Sequence, residues 1–403
     1  MAKDSSATNN FDPIARGVAQ SGVRIANERA VLTLVALVPG LSNADLARRS
    51  GLGPQTTSRI VSDLEERGLI KRGEVLRGRR GQPATPLFID PEGAYAIGVE
   101  IGWRHCKVVL IDIAARLLAS IHRAYDYPDA QTIFGDIAAD IATLTSSMTP
   151  QQRSRLVAIG VASPTAIDRG MDRVGAPAEQ RELWKGTDVR AALARATGMN
   201  TVWFNDGNAA CWGEIVAHPA PRPAGFAYFQ VSTFIGAGIV SGQGLWEGPT
   251  GNAADLGAIV VPGDDGKPAF VHFVASIAAF ESRLIEAGLV VPPDSPVTWD
   301  WAALEPHVTD WLDSAGRALA AAVVSTQAMI ELDKTIIDGV MPRPIVERLL
   351  ERIQVHLDAL PTLTVGKPTI AIGHLGAAAA AMGAAHLPLY QRFFSPAWTH
   401  FTD

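Results

Sequence analysis

One pattern occurs twice in this chain and limits its fold more than any other: a β-branched run, a tight glycine turn and a returning run. Residues 97–112 read IGVEIGWRHCKVVLID, and residues 226–246 read FAYFQVSTFIGAGIVSGQGLW. Each predicts a hairpin, because glycine supplies the turn and β-branched residues suit the strands. Around the first, residues 94–101, 105–112 and 116–123 predict a three-stranded meander, followed by a helix over 129–148. The strand LVAIGVASP ends near Pro164, a helix follows at 187–197, and the strand TVWFND leads into a helix from about Gly207. Strands alternating with helices and then recurring predict a duplicated α/β lobe, with ligands taken in the cleft between the copies.

The first 90 residues have a different character. They carry 13 Lys+Arg against 9 Asp+Glu, leaving 22 against 32 for the rest. A basic head on an acidic body suggests that only the head meets a polyanion. Residues 1–22 are polar and aperiodic and are expected to form a flexible arm. From Val23 the pattern is helical, with Ile25, Val31, Leu32, Leu34 and Val35 in one apolar stripe. Next comes LSNADLARRSGLGPQTTSRIVSDLEERGLI. Ser42 with Asp45 forms a capping-box pair, and Gly51 stops that helix. Gly53 and Pro54 suit the N-cap and first position of the next, which buries Thr57, Ile60, Val61 and Leu64.

Two short helices about a glycine turn predict a helix-turn-helix. Gln55, Thr56, Ser58 and Arg59 stand near the start of the second helix, where Gln and Arg suit adenine and guanine edges in a major groove. An αα-hairpin used for dimerisation is the alternative. The next stretch, IKRGEVLRGRRGQPATPLFID, turns and returns as a two-stranded wing. Its tip, with Arg77, Arg79, Arg80 and Gln82, suits a narrow, electronegative minor groove, or is a solvated loop. Double-stranded DNA is the expected partner of residues 23–90.

Several classes are disfavoured. No apolar run in the 403 residues reaches the roughly 18–20 of a membrane span. The start MAKDSSATNNFDP lacks the apolar core of a signal peptide. Two separated cysteines, Cys106 and Cys211, make neither a disulfide framework nor a metal cluster. A cytoplasmic protein without membrane contact is expected. The Ala-rich stretch 375–387, whose apolar run His386 and Pro388 interrupt, reads as a small-residue packing helix.

Taken together, these segments resemble the ROK family, within the actin/hexokinase-like superfamily, and in particular its transcriptional regulators. SGLGPQTTSRIVSDLEERGLI and GRRGQPA fit the family's DNA-binding head. IGVEIGWRHCKVVLID fits the first phosphate hairpin, IGVASPTAID the interdomain strand and FNDGNAACWGE the sugar-site motif. STFIGAGIV fits the second phosphate hairpin and GPTGNAADLGAIVV the following sugar loop. ALAAAVVSTQAMIELDKTIIDG and IAIGHLGAAAAAMGAA resemble the closing elements, so the likeness runs over about residues 23–390. The resemblance implies an α/β fold: a winged helix-turn-helix over 23–90, then a two-lobed, ribonuclease H-like body over 91–403.

The departures from the family pattern bear on function. Kinases of the family have an acid, any residue, two glycines and threonine in the first hairpin. Here those positions hold Glu100, then Gly102, Trp103 and Arg104. The second hairpin has Ser232, Thr233 and Phe234 in place of glycine, threonine, glycine, with only Gly236 and Gly238 retained. Indole and phenyl groups are expected to fill the space a triphosphate needs, so no catalytic residue and no nucleotide cofactor are assigned. The family's zinc element is missing as well: Gly257 precedes Ala258 rather than histidine, no cysteines follow, and His272 alone builds no site.

The sugar-site residues partly survive. Asn205 and Asp206 stand where a strand gives way to a helix, a position that points into an α/β crevice. In the kinases the matching Asp is the general base; here it is expected to bind a polyol, or to cap the helix from Gly207. Asn252 and Asp255 either bind hydroxyls or hold their loop's turn. Trp184 stacks on a sugar ring or belongs to the core. The expectation is a regulator, more often a repressor in such a family, holding a sugar or polyol effector and dimerising on a palindromic operator. A kinase with an appended head, or a body read by a protein partner, are the alternatives.

Overall fold

The computed structural model describes residues 20–74, 85–219, 221–242, 244–361 and 366–395. The chain opens with α1 (Gln20–Leu37), α2 (Asn43–Ser50) and α3 (Pro54–Glu66), followed by β1 (Ile70–Arg72) and β2 (Leu87–Ile89), paired antiparallel as the root of a wing. Local chemistry sets these boundaries. The Asp45 amide donates to Ser42 Oγ at 3.2 Å while the Ser42 amide donates to Asp45 Oδ2 at 3.1 Å, which is the expected capping box. Gly51, at φ +70°, ends α2 in the left-handed region, and Gly53–Pro54 starts α3. Leu46, Thr57, Ile60, Val61 and Leu64 are buried along with Val31, Leu32, Leu34 and Val35 of α1. Ile25, expected in that stripe, is exposed, as is Val23 where the pattern begins. It is the Arg24 side of this turn that meets α3, through Asp63 at 3.4 Å. The wing tip over 75–84, with Arg77, Arg79, Arg80 and Gln82, lies outside the described residues.

Two sheets of one plan follow. The first lobe has β3 (Tyr95–Ile101), β4 (His105–Asp112), β5 (Leu117–Ala124), α4 (Ile133–Thr145), α5 (Pro150–Ser154) and β6 (Leu156–Ser163). It continues with α6 (Ile167–Gly170), α7 (Ala178–Lys185), α8 (Val189–Thr197) and β7 (Thr201–Asn205). Its strand order is β5-β4-β3-β6-β7, an antiparallel meander extended by two strands parallel to β3. After α9 (Asp206–Ala217) comes the second lobe: β8 (Gly225–Val231), β9 (Ile235–Ser241), β10 (Gly244–Leu245), β11 (Val260–Pro262), β12 (Pro268–Phe270), α10 (His272–Ala275) and α11 (Ile277–Glu286). It ends with α12 (His307–Met329), β13 (Lys334–Gly339), α13 (Arg343–Ala359), β14 (Ile370–Ile372) and α14 (Ala379–Phe393). The order β10-β9-β8-β13-β14 repeats the first sheet strand for strand. The duplication seen in the two glycine hairpins therefore extends to the whole lobe.

α14 is the element on which the parts converge. A Cβ on Gly98 of β3 would stand 2.0 Å from Ala381 O, and one on Gly160 of β6 would stand 1.8 Å from Ala384 O. One on Gly383 would stand 1.7 Å from Ala209 O of α9. Glycine at these positions lets backbones meet where any side chain would hold them apart. The helix continues through His386 and Pro388. Proline lacks the N–H that Ala384 O would normally receive, and the close approach of Gly160 covers that carbonyl with the strand instead. Buried His386 accepts a hydrogen bond from Trp212 Nε1 at 3.0 Å, and burial pushes its imidazole down to about 3, so it is neutral. At its far end Leu389 shares a buried cluster with Val31, Leu34 and Leu64, and the Ser395 amide donates to Thr33 Oγ1 at 2.9 Å. Head and body thus have a common core. None of the described helices is long and apolar enough to cross a membrane.

Candidate functional site

Where β7 gives way to α9, the chain presents two polar residues at the crevice between the lobes. Asn205 caps α9, its Oδ1 accepting the Asn208 amide at 3.1 Å, while its Nδ2 donates to Thr165 Oγ1 at 3.1 Å. Capping therefore falls to Asn205. Asp206 accepts the Gly207 amide at 2.9 Å and lines a cavity of about 640 Å³. Burial pushes its carboxyl up from the ordinary 3.8 to about 6, against the opposing pull of the Gly207 amide. Asn252 and Asp255 line the same cavity from the second lobe. Thr165 Oγ1 donates to Asn252 Oδ1 at 2.7 Å, which joins the lobes across the opening. The Asn208 amide group donates to Gly251 O at 3.0 Å and ties that loop to α9.

His272 also enters this cavity, a placement the sequence did not suggest. Its Nδ1 accepts the Ile235 amide at 3.2 Å, which leaves the proton on Nε2, 3.3 Å from Asp255 Oδ1. The imidazole lies where a side chain on Gly257 would otherwise be, with Cε1 2.3 Å from an added Cβ. A histidine distant in sequence thus stands beside the Gly257–Ala258 step, and its ring nitrogens are engaged by a backbone amide and a carboxylate. Ser232 of the second hairpin adds to the polar lining, as do Thr165, Asp168, Arg169 and Arg173 on the segment after β6. The only sequence signal for them is a strand ending in Ser163–Pro164 before a short polar stretch.

Trp184 requires a correction. It is 4% exposed, its indole donates to Pro128 O at 2.8 Å, and it packs on Phe134. Its neighbourhood is the first lobe's core and an adjoining cavity of about 470 Å³, apart from Asn205 and Asp206. The core alternative holds, because α7 turns this face toward α4.

The two glycine hairpins meet through aromatic groups. Trp103 and Phe234 stand edge to face with ring centroids 5.3 Å apart, and Trp103 lies over Gly170, where a Cβ would strike the indole at 2.1 Å. The Tyr125 hydroxyl lies 2.8 Å from Gly102 O and 2.6 Å from His105 O, fastening the first turn from behind. In the second turn the Ser232 amide and hydroxyl both donate to Phe234 O, at 3.2 and 2.7 Å. Gly238, retained from the phosphate-hairpin pattern, serves packing, since its added Cβ would sit 2.5 Å from the Cβ of Cys211 on α9.

In the head, Gln55, Thr56, Ser58 and Arg59 are all exposed on α3, on the side away from Thr57, Ile60 and Val61. Two other basic groups nearby are engaged, Arg48 with Asp45 and Arg72 with Glu65 at 3.0 Å. Arg59 makes no ion pair among the described residues, so its charge is available on the helix's outer face.

Comparison with known proteins follows the same division. The ROK family profile matches residues 96–390 and that of the MarR family matches residues 22–81. The DNA-binding transcriptional dual regulator NagC of Escherichia coli is 26% identical over 67% of this chain and 68% of its own. The xylose repressor of Bacillus subtilis is 24% identical over 60% of this chain and 62% of its own. The crystal structure of a ROK family transcriptional regulator, a homologue of the Escherichia coli MLC protein, superposes with TM-score 0.64 at 19% identity. That likeness covers 93% of this chain and 98% of the other, and it concerns the fold.

Proposed function

Because the chain belongs to the ROK family and carries a MarR-like winged helix ahead of the ROK body, we propose that it is a sugar-responsive transcriptional repressor. The observation that carries this reading is the single cavity in which Asn205, Asp206, Asn252, Asp255 and His272 converge, next to the Trp103–Phe234 contact. Its volume suits a small ligand, and its carboxylates and amides accept and donate to hydroxyls. The aromatic pair stands between the two turns where a kinase would wrap a triphosphate. The body is therefore a sensor without phosphoryl transfer.

Its partners are double-stranded DNA, read by Gln55, Thr56, Ser58 and Arg59 with the wing, and a sugar or polyol. Regulators with this kind of head pair as twofold dimers on palindromic sites, and we assign the same to this chain, acting in the cytoplasm. One observation favours a second reading: Asp206 keeps the position and the raised pKa of a general base. Melting curves of the full chain with a panel of sugars, operator binding with and without each sugar, and turnover of ATP with magnesium distinguish them. Stabilisation by a sugar alone, with loss of operator binding, supports the sensor. Asp206-dependent ATP turnover would replace it with the kinase.

A further inference from the structure

The effector cavity contains charge that hydroxyl recognition leaves unused. α6 and the 3-10 turn after it (Met171–Val174) place Arg169 and Arg173 four residues apart, both exposed and both lining the cavity. Among the described residues, no carboxylate lies within the 4.0 Å of an ion pair from either guanidinium. Asp172, between them in sequence, pairs with Arg181 at 3.2 Å instead. Two cations kept on a concave wall without counter-ions create a positive potential that an anion would relieve.

Arg173 is also held in a geometry suited to an anion. Its guanidinium lies over the Phe273 ring, 4.0 Å from the centroid. Stacking engages the flat face of the group and leaves its in-plane N–H fork free for two parallel bonds to a carboxylate or phosphate. Arg173 comes from the first lobe and Phe273 from α10 of the second, so an anion there is gripped where the lobes meet. The acids of the cavity oppose this only in part. Asp168 also lines the cavity but pairs with neither guanidinium, Asp255 lies 3.3 Å from His272, and Asp206, pushed up to about 6, gives up its charge readily in a slightly acid medium.

We propose that the effector is an anionic sugar derivative, whose hydroxyls meet Asn205, Asp206, Asn252 and Asp255 and whose negative group is held by Arg169 and Arg173. The proposal rests on the sensor reading and adds the chemical class of the ligand. A phosphorylated sugar and a sugar acid share this chemistry.

The test uses the full chain and matched ligands: glucose, glucose 6-phosphate and gluconate; xylose and xylonate; N-acetylglucosamine and its 6-phosphate. Affinities come from calorimetry at low and high salt. In at least one set the anionic member binds roughly ten- to a hundredfold tighter than its neutral parent, and the advantage shrinks as salt screens it. The phosphate and acid arms identify which anion is preferred. Arg169→Gln with Arg173→Gln brings the anionic ligand down to the neutral parent's affinity while operator binding, a check on folding, persists. Arg173→Lys, which keeps the charge without the fork, retains part of the advantage. Neutral sugars binding as tightly as their anionic partners, or an advantage that survives the double substitution, overturns the proposal alone. No binding by any sugar overturns the sensor reading and this proposal together.

Discussion

At Asp206 the protein keeps an acid in surroundings that disfavour its charge. Burial holds the folded-state value near 6 against 3.8 in the open chain. The folded state therefore binds the proton more tightly, so this group is neutral to stability at low pH and a growing penalty from about pH 4 to 6. Asp206→Asn should stabilise the ligand-free protein by about 1–2 kcal/mol at pH 7.5, discounted for partial solvent access, and the gain should vanish by pH 4. Melting curves of the two proteins across that range measure it. A carboxylate accepts two hydroxyl bonds better than its acid, so binding of a neutral sugar should weaken as pH falls through about 6, in wild type but not in the Asn variant, whereas for an anionic ligand the lost repulsion from Asp206 offsets that loss.

Residues of this kind were legible because their position announces them: Asn205 ends a strand and Asp206 opens the helix after it, and Asn252 and Asp255 lie on a loop of polar and glycine residues. Trp184 was open to two readings, since an indole serves a core or a ligand equally well until its neighbours are known. His272 was missed because it reaches Asp255 only through the return of β12 into α10.

Elements were legible in proportion to how local their signals are. α2 and α3 follow from Ser42, Asp45, Gly51, Gly53 and Pro54, all within a dozen or so residues. The segment with α6, by contrast, is short and mostly polar, and only tertiary burial of Ile167, Met171 and Val174 fixes it. The path of α14 through Pro388 depends on Gly160, which sits on a strand of the first lobe. Ser42→Ala removes the cap of α2 and should lower stability by about 1 kcal/mol, read from denaturant unfolding. Arg59→Ala on α3 should weaken operator binding by roughly ten- to a hundredfold, while sedimentation shows the same assembly. An unchanged affinity would place the DNA elsewhere.

For the whole molecule the question is how an occupied cleft reaches the head. α9 begins at Asp206 and packs against α14 so closely that Gly383 admits no side chain beside Ala209. Glu214, buried on α9, accepts the His374 amide at 2.9 Å just before α14. α14 then carries Leu389 into the core it shares with Val31 and Leu34 of α1. A chain of packed helices is only a route; the warrant is a measured coupling between the two sites. Coupling free energies of this type are about 1–3 kcal/mol, or 5- to 150-fold in affinity, and they are reciprocal. Operator DNA should therefore weaken effector binding by the same factor by which effector weakens operator binding. Leu389→Ala should destabilise the protein by about 2–5 kcal/mol and bring that factor toward one, while effector affinity without DNA stays within about twofold. If the factor survives Leu389→Ala, the signal bypasses α14, and the lobe contacts at Thr165–Asn252 and Arg173–Phe273 would have to act on the DNA through the relative placement of the subunits in the proposed dimer instead.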